Sequence, residues 1–248
     1  MIYLKNSEQI ALMREPNRIV KNALALVEEA VKPGVTTDYL DKIVYDYITK
    51  ENAYPSFLNY NGFPKSICAS IDDEVVHGIP NSKRVLREGS IISIDIGAYK
   101  NGFHGDAART FAVGKISAEK QKLIDVIKQS FFEAAKIIKE GIRLGDIGHA
   151  IDSYVTSFGY STVKVLVGHG IGENLHEMPD VPNYGKAGRG LRIVEGMALA
   201  IEPMVNMGDY RVEFLDDGWT CVTIDGKPSA HYENTLVVTK DGCEILTL

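Results

Sequence analysis

The pattern of apolar and polar positions along the chain predicts four amphipathic helices. The clearest covers 37–50, where apolar residues from Leu40 to Tyr47 recur at helical spacing behind Thr37, a candidate N-cap. The other three helices are predicted at about 7–31, 117–139 and 146–158. We expect the first to be disturbed near Pro16, because proline removes a backbone donor from a helix.

Runs rich in Ile and Val lie between the helices and predict strands. These runs cover 90–96, 106–113, 163–167, 197–201 and 235–238. No stretch has the composition of a disordered linker. Helices and strands thus occur in both parts of the chain, and a length of 248 residues allows one large domain or two small ones.

The chain also resembles itself when it is shifted by 107 residues. Gly34 then aligns with Gly141, and the segment 87–95 aligns with 194–202, which places Asp95 on Glu202. Two strands that each follow a Glu-Gly turn could match by chance, but a register shared with the preceding helices favours duplication. We therefore expect two related halves, about 1–110 and 111–248, with a carboxylate from each half meeting between them.

Composition and charge narrow the classes of partner and compartment. The chain has 248 residues, 45% of them hydrophobic, with a formal charge of -6 and a pI of about 5.6. This charge gives no broad positive field, so nucleic acid is not an expected partner. With no apolar run of membrane-spanning length and three unpaired cysteines, we expect a cytoplasmic protein that does not bind membranes.

Two acidic residues on neighbouring predicted strands are the first candidates for chemistry. Asp95 lies in an apolar strand, and Asp106 follows it after an Asn101-Gly102 turn signal. In a hairpin with an even-length loop, residues an odd number apart project from the same face, so the two carboxylates should converge. Arg109 offers an ion pair as the alternative, but the cost of buried unpaired charge favours a shared metal.

Glu202 and Glu233 extend this acidic set, since each lies at the boundary of an apolar strand. Four carboxylates carry four negative charges, which two divalent cations would neutralise. His169, between glycines in Val-Gly-His-Gly-Ile-Gly, is a candidate imidazole ligand. Oxygen ligands with one imidazole suit Mn, Fe, Co or Zn.

The remaining histidines and a cysteine are weaker candidates. His77 and His176 stand beside turns, whereas we assign His104, His149 and His231 to structural or surface positions. Cys68 with His77 could suggest a thiol nucleophile, but nothing in the sequence lowers the thiol pKa, so Cys68 is expected to be a pocket or core residue.

Several motifs in one order make the sequence resemble a known family. Asn-Gly-Phe-Pro-Lys-Ser-Ile-Cys, His-Gly-Ile-Pro, Ile-Asp-Ile-Gly, Gly-Asp-Ala-Ala-Arg-Thr, Gly-His-Gly-Ile-Gly, Ile-Glu-Pro and Tyr-Glu-Asn-Thr follow one another. Their order and spacing resemble those of type I methionine aminopeptidases of the short bacterial kind, over essentially the whole chain. The resemblance implies a pita-bread α+β fold with an internal twofold repeat, and removal of N-terminal methionine from nascent chains when the second residue is small.

The resemblance also implies roles for individual residues. Asp95, Asp106, His169, Glu202 and Glu233 would bind two divalent ions (Co, Mn, Fe, Zn or Ni), with Glu202 doubling as general base. His77 and His176 would contact the substrate backbone and the developing oxyanion. A methionine pocket would comprise Phe57, Tyr60, Phe63, Cys68, Leu175 and Trp219. Phe57, Leu175 and Asn234 depart from some relatives, which leaves pocket width open, and we expect a monomer.

Two rival functions remain at this stage. A proline-directed peptidase of the same fold would use the same five ligands, but such relatives usually carry an N-terminal domain. A non-catalytic binding protein of the same fold would be expected to have lost ligands, and all five are present.

Overall fold

The structure is a computed structural model that describes Met1 to Leu248, and it contains the four predicted helices. They are α1 (Ser7–Ala30), α2 (Thr37–Lys50), α3 (Ala118–Ala135) and α4 (Leu144–Thr156). The N-cap of α2 and the first residue of α4 differ from prediction. Thr36 and not Thr37 caps α2, because its hydroxyl accepts from the Tyr39 backbone N–H. Helix α4 begins before Asp146, whose carboxylate accepts from the Arg143 N–H at 2.8 Å and so satisfies an open donor in the first turn.

Pro16 lies inside α1 and does not end it. The side chain of Asn17 donates to the carbonyl of Met13 at 2.8 Å, within the turn that the proline disturbs. Both residues are buried. Packing of this helix face therefore outweighs the local cost of the proline. None of the four helices combines the length and apolar character needed to cross a bilayer.

Fifteen strands complete the fold, and every paired strand is antiparallel. They are β1 (Tyr54–Pro55), β2 (Ile67–Ile71), β3 (Glu74–Val76), β4 (Ile91–Lys100), β5 (Phe103–Ala112), β6 (Ser161–Thr162), β7 (Gly168–Gly170), β8 (Glu177–Val181), β9 (Ala198–Ile201), β10 (Met204–Asn206), β11 (Val212–Phe214), β12 (Cys221–Thr223), β13 (Ser229–His231), β14 (Asn234–Val238) and β15 (Cys243–Ile245).

The strands form four sheets, two of which carry the site. In the first, β4 lies between β2 and β5, with β1 also paired to β4. In the second, the order is β15-β14-β9-β7-β8. This architecture confirms the α+β class.

One predicted strand, 163–167, is wrong. The chain pairs only at β6, before this run, and at β7, after it. Val165 is 70% exposed, so the apolar run does not correspond to a buried face. Apolar composition alone cannot show whether a partner strand is within reach.

The sequence repeat reappears in the backbone hydrogen bonds. Isolated bridges join Thr36 to Val85 and Arg143 to Arg192. Both members of the second bridge are 107 positions beyond those of the first (143 − 36 and 192 − 85). In the same register, Gly34 donates to Leu86 and Gly141 donates to Ile193, each at 2.9 Å. The two halves thus share a backbone plan as well as a sequence pattern.

The hydrophobic core follows the same division. One cluster joins α1 and α2 to β2 and β4, and another joins α3 and α4 to β9 and β14. A third cluster draws side chains from both halves, among them Phe63, Cys68, Ile171 and Leu175. Residues of this shared cluster form one wall of the candidate site.

Candidate active site

Asp95 and Asp106 project from the same face of the β4–β5 hairpin, as the sequence predicts. Asp95 pairs with Ala108 and Asp106 pairs with Gly97, so the two carboxylates are diagonal neighbours. Asp106 is 3% exposed. The hairpin therefore places two acidic groups in a largely buried site.

Arg109 does not form the ion pair considered as the alternative, because it points to the opposite face of β5. Its guanidinium donates to the carbonyls of Ala108 and Glu233 and to Oδ1 of Asn234, at 2.8, 2.5 and 2.6 Å. It also stacks 4.3 Å from the Tyr232 ring centroid. The two aspartates thus receive no charge compensation from Arg109 by direct contact.

The second half brings the remaining three predicted ligands to the same place. Glu202 follows the end of β9, and Glu233 precedes the start of β14, which pairs with β9. His169, on β7, pairs with Ala200 of β9, and its Nε2 lies 3.5 Å from Oε1 of Glu202. Its Nδ1 is 2.8 Å from the Gly170 carbonyl, so Nδ1 carries the proton and Nε2 is free to act as a ligand.

The carboxylates are short of partners. One ligand atom from each of Asp106, His169 and Glu233 lies within 4.8 Å of the others. Oδ1 of Asp95, Oδ1 of Asp106 and Oε1 of Glu233 are buried and accept no hydrogen bond. Buried acceptors without donors are rare because each costs free energy. Their convergence in one place points to a missing positive group.

Burial without positive partners also shifts the pKa values of the four carboxyl groups. Burial raises the pKa of Asp95 to about 7. Burial, reinforced by the neighbouring carboxylates, raises the pKa values of Asp106, Glu202 and Glu233 well above their usual range. Divalent cations would remove this penalty, and hard oxygen donors with one imidazole fit such ions. The residues present therefore fit a metal centre.

His77 and His176 flank the acidic cluster without joining it. His77 adopts a left-handed backbone conformation with φ of 61°, which is uncommon outside glycine and clusters at functional sites. Burial lowers its pKa to about 4 and also lowers the pKa of His176. Nδ1 of His176 lies 2.8 Å from the Tyr60 hydroxyl, and its ring centroid lies 4.2 Å from that of His169. Both imidazoles are neutral at neutral pH.

The acidic cluster lines a cavity of about 460 Å³ that also has an apolar wall. Every predicted site residue lines it: Phe57, Tyr60, Phe63, Cys68, His77, Asp95, Asp106, His169, Leu175, His176, Glu202, Trp219 and Glu233. Phe63 and Trp219 meet edge to face with centroids 5.1 Å apart. Asn61 also lines the cavity; it was not among the predicted site residues, although it begins the Asn-Gly-Phe-Pro motif.

Cys68 lines this cavity as a neutral thiol. Burial and the negative charges of Asp95 and Asp106 raise its pKa well above the ordinary value. A thiol needs a lowered pKa to act as a nucleophile. The structure therefore disfavours the Cys68–His77 alternative and leaves Cys68 as a wall residue.

His231 is a site neighbour that sequence reasoning missed. Its Nε2 lies 3.7 Å from Oε2 of Glu202 and 3.9 Å from Oε2 of Glu233, and it has no hydrogen-bond partner. His231 pairs with Met204 as Asp106 pairs with Gly97, so it occupies the position in the second half that Asp106 occupies in the first. Extending the repeat to this second strand would have found it. None of His104, His149 and His231 lines the cavity.

Comparison with known proteins identifies the family of this chain. The sequence profile of metallopeptidase family M24 matches residues 11–240. A methionine aminopeptidase from Clostridium acetobutylicum is 56% identical over 248 residues, covering 100% of this chain and 99% of that protein. The structure matches that of methionine aminopeptidase from Rickettsia prowazekii with a TM-score of 0.98 at 41% identity, covering 100% of both chains.

A more distant structure shares the fold alone. Xaa-Pro dipeptidase from Bacillus anthracis matches with a TM-score of 0.79 at 23% identity, covering 98% of this chain and 61% of that one. The fold is thus the pita-bread fold. The chain belongs to metallopeptidase family M24, and its similarity within that family is to the methionine aminopeptidases.

Proposed function

We propose that this chain removes the N-terminal methionine from nascent proteins and peptides whose second residue is small. The observation that carries the proposal is the acidic cluster in a cavity that also has an apolar wall. The cluster supplies the means of hydrolysis, and the cavity supplies a place for one unbranched apolar side chain. The two relatives described above that match this chain over its full length are methionine aminopeptidases.

Asp95, Asp106, His169, Glu202 and Glu233 would hold two divalent metal ions in this proposal. Three of the carboxylates have orphaned oxygens, and the four together match the charge of two divalent ions. Bound metal supplies the acidification of a water molecule and the polarisation of the scissile carbonyl. The identity of the ion, among Co, Mn, Fe, Zn and Ni, is not fixed by these donors.

The protein's own groups would move the protons and hold the substrate. Glu202 would accept the proton from the attacking water as general base. His77 and His176, both neutral, would donate hydrogen bonds to the substrate backbone and to the oxyanion that develops at the carbonyl. With Nδ1 of His176 facing Tyr60, its Nε2 is the nitrogen left for the substrate.

The apolar cavity would select methionine. Phe57, Tyr60, Phe63, Cys68, Leu175 and Trp219 give it aromatic and sulfur-containing walls, which suit a flexible thioether. Each CH₂ buried contributes roughly 0.8 kcal/mol. A branched or charged first residue would fit poorly. One chain supplies every group named, and we propose that residues 1–248 act as one catalytic domain and as a monomer in the cytoplasm.

A peptide series tests the assignment. With saturating Mn, we expect kcat/KM for Met-Ala-Ser to exceed that for Ala-Ala-Ser by at least about tenfold, because two further buried CH₂ groups at roughly 0.8 kcal/mol each exceed the roughly 1.4 kcal/mol that a factor of ten requires. Met-Lys-Ser should also be cleaved at least about tenfold more slowly, because a long second side chain would meet the wall of the site. Ala-Pro-Ser is the probe for the proline-directed rival. Fast cleavage of Ala-Pro-Ser with little turnover of Met-Ala-Ser would overturn the methionine assignment and leave only the metal site.

A further inference from the structure

The segment before α1 crosses from the first half onto the second and is fixed there by Lys5. The Lys5 backbone N–H donates to the carbonyl of Gly196 at 2.7 Å. Its ammonium lies 2.5 Å from Oε2 of Glu177, and the two side chains are only 3% and 4% exposed. An ion pair this deeply buried differs from the exposed pairs elsewhere on the molecule, such as Arg14 with Glu244, at 53% and 42% exposed.

The backbone around Lys5 leaves space for this side chain. A Cβ added to Gly172 would lie 2.4 Å from Cε of Lys5 and 2.5 Å from its Nζ. A Cβ added to Gly196 would lie 2.9 Å from the Lys5 carbonyl oxygen. Contacts this short do not occur in real structures. Two glycines therefore permit the approach of Lys5 to Glu177.

Glu177 connects Lys5 to the loop 172–177, which contains two residues that line the cavity. Its Oε1 accepts from the Asn174 N–H at 3.2 Å, while Oε2 pairs with Lys5. Gly172 donates to the carbonyl of Asn174 and accepts from the His104 N–H, at 3.1 and 2.8 Å. Between these points stand Leu175 and His176, which line the cavity. Lys5 itself is absent from the cavity lining.

We propose that Lys5 is a positioning residue that acts through Glu177 to hold the loop 172–177, and with it the His176 imidazole and the Leu175 wall, in the geometry that the reaction needs. The inference rests on the proposed function for its catalytic consequence. Its structural part, the fixing of the loop by the N-terminal segment, is independent of that function. Displacement of a catalytic group by about 1 Å can cost about a hundredfold in rate.

Kinetics of Lys5→Met on Met-Ala-Ser test the catalytic part, with Arg14→Met as the control that removes a cation from an exposed ion pair remote from the loop. We expect Lys5→Met to lower kcat by about tenfold to a hundredfold at a temperature where it is folded, with metal content unchanged and a smaller change in KM. Arg14→Met should retain wild-type kinetics. Lys5→Met with wild-type kcat and a lowered Tm alone would reduce Lys5 to a structural anchor and overturn the proposal.

Lys5→Met leaves a buried carboxylate alone and can fail to fold, so Lys5→Met/Glu177→Met is the second variant. Two methionines fill similar volume without buried charge, which proteins tolerate. We expect this variant to fold and still to lose kcat, because Asn174 has lost its acceptor. Full kcat in the double variant would contradict the proposal.

Amide hydrogen exchange of metal-free protein separates this inference from the function on which it rests. In the double variant, exchange at 172–177 should rise by about tenfold or more while α2 stays protected, because the loop opens locally. Faster loop exchange in a protein whose wild type does not cleave Met-Ala-Ser would preserve the positioning and refute the peptidase assignment. Unchanged exchange would refute the positioning itself.

Discussion

At the scale of single residues, the proposed function divides the site into groups that would hold metal and groups that would hold substrate. Asp106→Asn removes a charge from the cluster, and we expect it to lose bound metal. His176→Ala should lower kcat by about tenfold or more while it keeps its metal, because in the proposed function His176 donates to the transition state and does not bind metal. Elemental analysis after dialysis, run beside the peptide assay, measures both. Equal loss of metal in the two variants would contradict this division.

A pH prediction also belongs to the residue scale. Burial raises the pKa of the Cys221 thiol from 9.0 to about 12. The native protein therefore keeps this proton at pH values where the unfolded chain releases it. The stabilising contribution is full below pH 9 and is lost as pH rises toward 12.

Urea unfolding at pH 8 and pH 10.5 tests that sign. The wild type should lose more free energy of unfolding between the two pH values than Cys221→Ala, in which the thiol cannot titrate. Lysines, tyrosines and the other two cysteines are common to both proteins, so their contributions cancel. A steeper loss in Cys221→Ala would reverse the sign and contradict the buried-thiol argument.

Prediction of single residues from the sequence succeeded where charged residues lay on two strands of a recognisable hairpin. Asp95 and Asp106 could be paired because hairpin parity fixes the face of each side chain. Arg109 could not be excluded in advance, since its true partners come from Glu233 and Asn234, more than 120 positions away. His231 was missed because the repeat was traced only through the first strand of each pair.

At the scale of elements, the packing of α1 across β5 sets a steric limit. Gly105 lies on β5, where an added Cβ would be 2.7 Å from the backbone nitrogen of Asn17 and 2.9 Å from its Cα. Backbone atoms cannot rotate away from such a contact. We expect Gly105→Ala to lower the free energy of unfolding by about 1–3 kcal/mol, as overpacking does.

Gly242→Ala is the matched control for this helix contact. Its added Cβ would meet only Oγ1 of Thr239, at 3.9 Å, an ordinary contact. Its effect on stability should remain within about 0.5 kcal/mol. Denaturant unfolding of both variants gives the comparison. Equal stability of the two would mean that α1 moves from β5 without cost.

Element prediction succeeded for long, periodic segments and failed for short ones. Helix α2 matched its predicted range because one face carries the apolar spacing. Strands such as β1 and β6, two residues each, have no period to detect and form only against β4 and β10. The failed strand at 163–167 shows the converse, an apolar run whose contact with a neighbouring strand, from the Val163 N–H to the Met204 carbonyl at 3.0 Å, does not continue into a ladder.

At the scale of the whole molecule, we expect bound metal to stabilise the contact between the two halves. The candidate ligands come from β4 and β5 of the first half and from β7 and the ends of β9 and β14 in the second, so the binding free energy would favour the assembled fold. A ligand at 100 times its Kd stabilises the native state by about 2.7 kcal/mol. We expect Tm to rise with Mn concentration and to fall on addition of a chelator.

Scanning calorimetry with and without Mn measures this effect, and Asp106→Asn serves as the control that should not respond. A wild-type Tm independent of Mn would indicate that the acidic cluster does not bind the ion in the native state. Calorimetry detects binding whether or not the protein cleaves peptides.

Two threonine hydroxyl groups near the acidic cluster make equivalent contacts between the halves. Thr110 Oγ1 accepts from the His231 N–H and donates to its carbonyl, at 2.9 Å each, while Thr235 Oγ1 does the same for Asp106, at 3.2 and 2.9 Å. Each half therefore forms the same pair of hydrogen bonds with the other, as the two subunits of an isologous interface do. Asp106 and His231 therefore hold equivalent positions about a local twofold relation, each hydrogen-bonded to the equivalent threonine of the other half, yet one is a carboxylate and the other an imidazole. The symmetry of the backbone is thus retained where the symmetry of the side chains is not.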